Sequence, residues 1–155
     1  MFECCRRRIK KAIKSNIPWY EIAKGELGEK EIPGDMDNPR IVEYGESVDL
    51  EVSDDETPWC AIFVNWCLKK VGQEGTNLAT ARSFLDWGVG IEYPTKGCIV
   101  VFKRGNSSWQ GHVGFYVEEN NTYIKVLGGN QSNSVKYSWY RKSDLLGYRW
   151  PKNVL

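Results

Sequence analysis

The sequence holds a single histidine among its 155 residues, so any chemistry that uses imidazole must use His112, and a zinc site built from several histidines is excluded. No stretch approaches the ~18 consecutive apolar residues of a membrane-spanning helix, and residues 1–16 lack the apolar core of a signal peptide. The chain is therefore expected to be made in the cytoplasm without stable membrane insertion, and work outside it would require release or delivery by other machinery. An excess of one charge is lacking too. With 21 Lys and Arg against 20 Asp and Glu, the net charge of +1 is too balanced for a surface that clasps nucleic acid. Methionine is scarce, at two, whereas seven Trp, eight Tyr and 15 Gly favour stacked aromatics and tight turns over a plain helical bundle. The five cysteines stand at 4, 5, 60, 67 and 98, an odd number without C-x-x-C spacing, which fits neither a disulfide framework nor a zinc knuckle.

Residues 1–16 gather six basic side chains against Glu3, a local charge of +5, and read as a solvated basic tail. Residues 17–155 read as one domain, expected to act as a monomer. Within it, Trp19, Ile22, Ala23 and Leu27 recur at helical spacing after Pro18 and stop near Gly28. The loop over 31–38 carries Asp35 and Asp37 but not the spacing of a calcium loop, so turn-forming residues account for it and neither a metal nor another cofactor is expected. Apolar Trp59, Ile62, Phe63, Trp66 and Val71 mark the strongest helix. Thr57 suits its N-cap, Pro58 its first position and Gly72 its end, which puts Cys60 in the first turn. A weaker helix is expected over 79–87. From Gly97 onward the pattern changes to strands over 98–103, 112–117, 123–127, 135–140 and 148–150, with a hairpin turn over 118–122. Helices first and an antiparallel sheet second imply an α+β fold.

A thiol becomes a good nucleophile when its thiolate is stabilised, and the first turn of a helix offers unpaired N–H groups and the positive end of the dipole. Cys60 has that address. Cys67 lies mid-helix and Cys98 opens an apolar strand, so both read as core thiols. His112, between Gly111 and Val113-Gly114 at a strand start, is the base available to Cys60, and the pair follows the logic of thiol hydrolases. The imidazole then needs a partner for its other nitrogen. With the hairpin turn centred on Asn120, Val113 pairs with Leu127, His112 lies across from Gly128, and Asn130 is one diagonal step away. Asn130 is thus the expected orienting residue, with Gln131 as the alternative, while Glu118 and Glu119 belong to the turn. The backbone N–H of Cys60 is an oxyanion donor, and Trp59, Gln131 and Trp109 are candidates for the remaining oxyanion or substrate contacts.

The blocks Pro58-Trp59-Cys60-Ala61-Ile62-Phe63-Val64-Asn65-Trp66-Cys67, Gly111-His112-Val113-Gly114-Phe115-Tyr116 and Leu127-Gly128-Gly129-Asn130-Gln131 resemble CHAP and NlpC-type cell-wall hydrolases, in a phage- or prophage-associated branch. NlpC-type enzymes commonly use a second histidine, which this chain lacks, so the CHAP-like variant is favoured. The resemblance implies a papain-like fold, with N-terminal helices packed on a C-terminal antiparallel sheet. It also implies cleavage of a peptidoglycan amide bond, by an N-acetylmuramoyl-L-alanine amidase or a stem-peptide endopeptidase, with Cys60 as nucleophile, His112 as base and Asn130 as orienting residue. Such an enzyme would act in the periplasm or cell wall after release or delivery, as a phage lysin or antibacterial effector, with a holin, an injection apparatus or an immunity protein as partner. Two other readings compete. A thiol acyltransferase or protein peptidase would use the same Cys-His pair, and a non-catalytic envelope module would grip glycan through its aromatics with the basic tail adding affinity. In the hydrolase, Trp59, Trp87, Trp109 and Trp139 are candidates to line a muropeptide groove, with core packing the commoner fate of each.

Overall fold

The computed structural model describes residues 16–34, 37–49 and 58–154. The basic tail, with Cys4 and Cys5, and the residues Asp35, Asp54, Asp55, Glu56 and Thr57 lie outside the described residues. No helix among the described residues is long and apolar enough to cross a membrane.

Among the described residues three α-helices come first: α1 (Pro18–Gly25), α2 (Pro39–Tyr44) and α3 (Cys60–Lys70). Six strands follow: β1 (Val89–Ile91), β2 (Ile99–Lys103), β3 (Gly111–Glu119), β4 (Tyr123–Gly128), β5 (Lys136–Arg141) and β6 (Leu145–Trp150). They form one antiparallel sheet in the order β1-β6-β2-β3-β4-β5. The α+β expectation holds, and the five expected strands are all present. β1 went unread because three residues around Gly90 carry no periodic signal. The expected helix over 79–87 is a 3-10 helix, Ala81–Asp86.

α3 is the centre of the molecule. Every residue from Cys60 to Leu68 is buried, so this helix is enclosed on all sides rather than amphipathic. Its one polar residue there, Asn65, is fully satisfied: Nδ2 donates to the carbonyls of Ala61 and Leu78 and to Thr76 Oγ1, and Oδ1 accepts from the Asn77 N–H. Those bonds tie the helix to the segment leading into the 3-10 turn. The helix ends as expected, at Val71 followed by Gly72 with φ 75°, a left-handed position that glycine adopts without strain. Its start differs from expectation. Trp59 is the cap residue, and Cys60 is the first helical residue.

The sheet buries both faces. Ile99, Val101, Val113, Phe115 and Leu127 pack with α3, whereas Val100, Phe102, Tyr116, Ile124 and Val126 face away from it. The second face is covered because the sheet curls on itself. Tyr140 on β5 stacks on Phe102 on β2 with centroids 5.0 Å apart, although three strand spacings of a flat sheet would separate them by roughly 14 Å.

The β3–β4 register corrects the expected pairing. Leu127 lies opposite Phe115, not Val113. Two features shift it. The turn closes between Asn120 and Tyr123, with Asn120 Oδ1 accepting from the N–H groups of Thr122 and Tyr123, and the ladder slips between Tyr116 and Glu118, leaving Val117 as the extra residue of a bulge.

Candidate active site

The open end of the curled sheet meets the N-terminus of α3, and the chemistry-bearing residues converge there. Cys60 and His112 share a cleft of about 550 Å³ with Asn130, Trp109 and Tyr140. Because Cys60 begins the helix, the first N–H groups of α3 have no intrahelical carbonyl to bond and point toward this end.

Burial of the Cys60 sulfur would push its pKa up, but the hydrogen bond and charge of His112 and the backbone N–H groups of Val113 and Ala61 outweigh it, so the thiol sits below its ordinary value. The other two described cysteines have no such company. Burial holds Cys67 well above the ordinary range and pushes Cys98 up to about 12. These shifts have opposite consequences for stability against pH. Cys60, depressed in the folded state, contributes stability above the ordinary thiol value and loses it as the pH falls through its folded value. Cys67 and Cys98 contribute below the ordinary value and lose that as the pH rises through theirs.

Gln131 holds the imidazole. His112 Nε2 lies 2.9 Å from Gln131 Oε1, and Gln131 is only 2% exposed. The orientation of this amide is dictated from behind, since its Nε2 donates to the carbonyls of Val126 at 3.2 Å and Lys136 at 2.5 Å. With its NH₂ so engaged, the side chain presents only an acceptor to His112. His112 Nε2 must therefore carry the proton, which leaves Nδ1 as the basic nitrogen available to the Cys60 thiol. The faces of the ring are fixed as well. Tyr140 stacks on it at 4.7 Å with planes 19° apart, and Tyr140 is itself backed by Phe102. The Tyr140 phenol is raised in pKa by burial and then by the charge of Cys60, so it stays neutral beside the sulfur.

The expected residues thus fall into different roles. Cys60 and His112 meet as expected. Asn130 does not orient the imidazole: at φ 55° it turns in the left-handed region on the cleft wall, and the following residue brings its side chain back under the ring. Gln131 is too deeply buried to touch an oxyanion or substrate. Trp59 is excluded from substrate contact for the same reason, being 1% exposed, with its indole N–H donating to Glu31 Oε1 and its ring packed with Tyr44 and Phe63. Trp109 does border the cleft and is 70% exposed. Of the four tryptophans that are candidates for a muropeptide groove it is the one that borders this cleft; Trp87 packs on Phe84, and Trp139 lies on edge strand β5 beneath Lys125. Sequence reasoning missed Tyr140, because a contact made across a curled sheet leaves no local signal. Among the described residues no cluster of His, Cys, Asp and Glu could hold a metal ion.

The Gly128-Gly129 pair is explained by close approach rather than by backbone conformation. A Cβ on Gly128 would stand 2.6 Å from Gln131 Oε1 and 3.6 Å from His112 Nε2, and one on Gly129 would stand 2.7 Å from both Phe63 and Trp59. Gly128→Ala is therefore expected to displace the Gln131 carbonyl from the imidazole, lowering turnover by roughly tenfold to a hundredfold and destabilising the fold by about 1–3 kcal/mol. Turnover and thermal melting of the purified variant check this, and wild-type values for both would contradict the packing argument.

Comparison with known proteins gives one finding. Among curated proteins no match is found. A family model described as the CHAP domain matches residues 52–130. Since that stretch runs from just ahead of Cys60 through His112 to Asn130 and makes up half of the sequence, the chain belongs to the CHAP domain family, whose members are typically peptidoglycan hydrolases.

Proposed function

We propose that this protein cleaves an amide bond of peptidoglycan by cysteine nucleophilic catalysis, as an N-acetylmuramoyl-L-alanine amidase or a stem-peptide endopeptidase. The observation that carries the reading is the contrast among three buried thiols: only the one beside the sole imidazole is held below its ordinary pKa. In this mechanism His112 Nδ1 takes the Cys60 proton and the sulfur attacks the amide carbonyl carbon. The N–H of Cys60 at the helix start supports the oxyanion. His112 then gives its proton to the leaving amine, and water, deprotonated by the same nitrogen, releases the acyl group. Gln131 and Tyr140 keep the imidazole in one tautomer and one plane, while Asn130 and Trp109 on the cleft wall contact the substrate. A phage lysin and a delivered antibacterial effector are the two settings in which such an enzyme meets the wall.

Digestion of purified peptidoglycan by the wild-type protein and by Cys60→Ala, followed by mass spectrometry of the soluble products, tests this. The expected products of the wild type have gained the elements of water at one kind of amide bond, with a new carboxyl and a new amine terminus. Glycan freed of peptide identifies an amidase, and shortened peptides identify an endopeptidase. Cys60→Ala is expected to release neither. Undiminished release by that variant, or none by the wild type, would overturn the proposal.

A further inference from the structure

The wall of the cleft beside His112 is cationic. Lys103 ends β2 directly opposite Gly111, so it stands one residue along the ladder from the Phe102–His112 pair, and Arg104 follows it. Both border the cleft, both are exposed, and neither forms an ion pair among the described residues. No Asp or Glu among the described residues lines the same cleft. Two exposed cations, with neither an ion pair nor a lining acid among the described residues, favour an anion at this part of the cleft.

The segment that carries these residues is held in place. Arg82 reaches from the 3-10 turn to donate to the carbonyls of Gln110 at 2.8 Å and Ser107 at 2.7 Å, and Ser107 Oγ accepts from the N–H groups of Trp109 and Gln110. The two ends of the loop are thereby fixed, one by the β2–β3 ladder and the other by Arg82. The fixed backbone sets where the two side chains begin, so only their own rotamers remain to be ordered when an anion binds.

We propose that Lys103 and Arg104 form a carboxylate-binding subsite, which makes the substrate class an acidic peptide with a free carboxylate close to the scissile amide, rather than a neutral cross-bridge of glycine or alanine. This rests on the hydrolase reading above. A substrate carboxylate would gain charge-assisted hydrogen bonds from both side chains, the guanidinium supplying a planar pair of donors. A stem tetrapeptide with lysine as its third residue offers two such groups, the α-carboxylate of its γ-linked glutamate and the carboxylate of its terminal alanine.

Three synthetic disaccharide-tetrapeptides with lysine at the third position separate these sources: one with both carboxylates free, one with the glutamate carboxylate converted to carboxamide, and one with the terminal carboxylate so converted. The expected result is that the wild type loses about tenfold in kcat/KM on one of the two amidated peptides, mainly through KM, and that Cys60→Ala binds that peptide about tenfold more weakly than the free form. In the double variant Lys103→Gln, Arg104→Gln the ratio between free and amidated substrate should fall to near one. Equal turnover of all three by the wild type, or an unchanged ratio in the double variant, overturns the subsite while leaving the hydrolase reading in place. Preferential binding with no turnover by the wild type removes the hydrolase reading and leaves the subsite. Neither turnover nor preferential binding removes both.

Discussion

Replacing His112 by alanine is expected to lower turnover by on the order of 10⁴-fold while leaving the fold intact. The reason lies in the balance at the Cys60 sulfur. Burial opposes ionisation there as it does at Cys67 and Cys98, and His112 supplies both the hydrogen bond and the charge that reverse the outcome. Without the imidazole, two backbone N–H groups remain against the full effect of burial, and the thiol should move toward the behaviour of Cys98, which is pushed up to about 12. Alkylation with iodoacetamide across pH, read by peptide mapping so that the five cysteines are resolved, measures this directly. In the wild type Cys60 should react at a pH below the ordinary thiol value of about 8.5, and in His112→Ala only above it. The substitution also leaves the buried Gln131 Oε1 without its partner and removes the stack on Tyr140, so a stability loss of about 1–3 kcal/mol is expected with the fold still formed. Labelling of Cys60 at neutral pH that survives the substitution, with turnover retained, would show that the sulfur is activated by something other than the imidazole.

The second large effect is expected at Gln131, where a carboxylate would look like the acid of a conventional triad and yet should fail. Gln131→Glu keeps an acceptor for His112 Nε2 but loses the NH₂ that donates to the carbonyls of Val126 and Lys136. An ionised Glu donates to neither carbonyl, and a protonated one to only one, so buried acceptors are left unpaired beside a buried acid. The variant is expected to lose roughly 3 kcal/mol of stability, a fall in Tm of about 10 °C. Its kcat should drop by on the order of a hundredfold or more with KM little changed, because a residue 2% exposed does not touch substrate. A Glu variant that melts with the wild type would show that the two carbonyl contacts do not fix the amide.

The legible parts of this site were local. Cys60 could be placed at a helix start from Pro58 and the apolar period that follows, although the helix begins two residues later than those signals suggested, with Trp59 in the cap position at φ −120°. His112 could be placed at a strand start from its glycine neighbours, and it stands second in β3. The identity of the third residue was not legible at the same precision. Choosing between Asn130 and Gln131 required knowing that Val117 bulges out of the ladder and that Asn130 turns into the left-handed region, each of which moves side chains by a full residue. Tyr140 was read only as the end of a strand, because its contact with His112 arises from the curl that brings β5 back over β2.

The amino-acid sequence by itself determined which atoms can do the chemistry. One imidazole exists, one cysteine stands at a helix start, and strand and helix periods are written in neighbouring residues, where propensity and capping act over a few positions. The tertiary structure alone decided which amide holds the imidazole, which tryptophan meets the cleft and which cations face it. Those outcomes depend on register, bulges and sheet curl, in which residues far apart in the chain are brought within a hydrogen bond of each other, and no local pattern encodes distances of that kind.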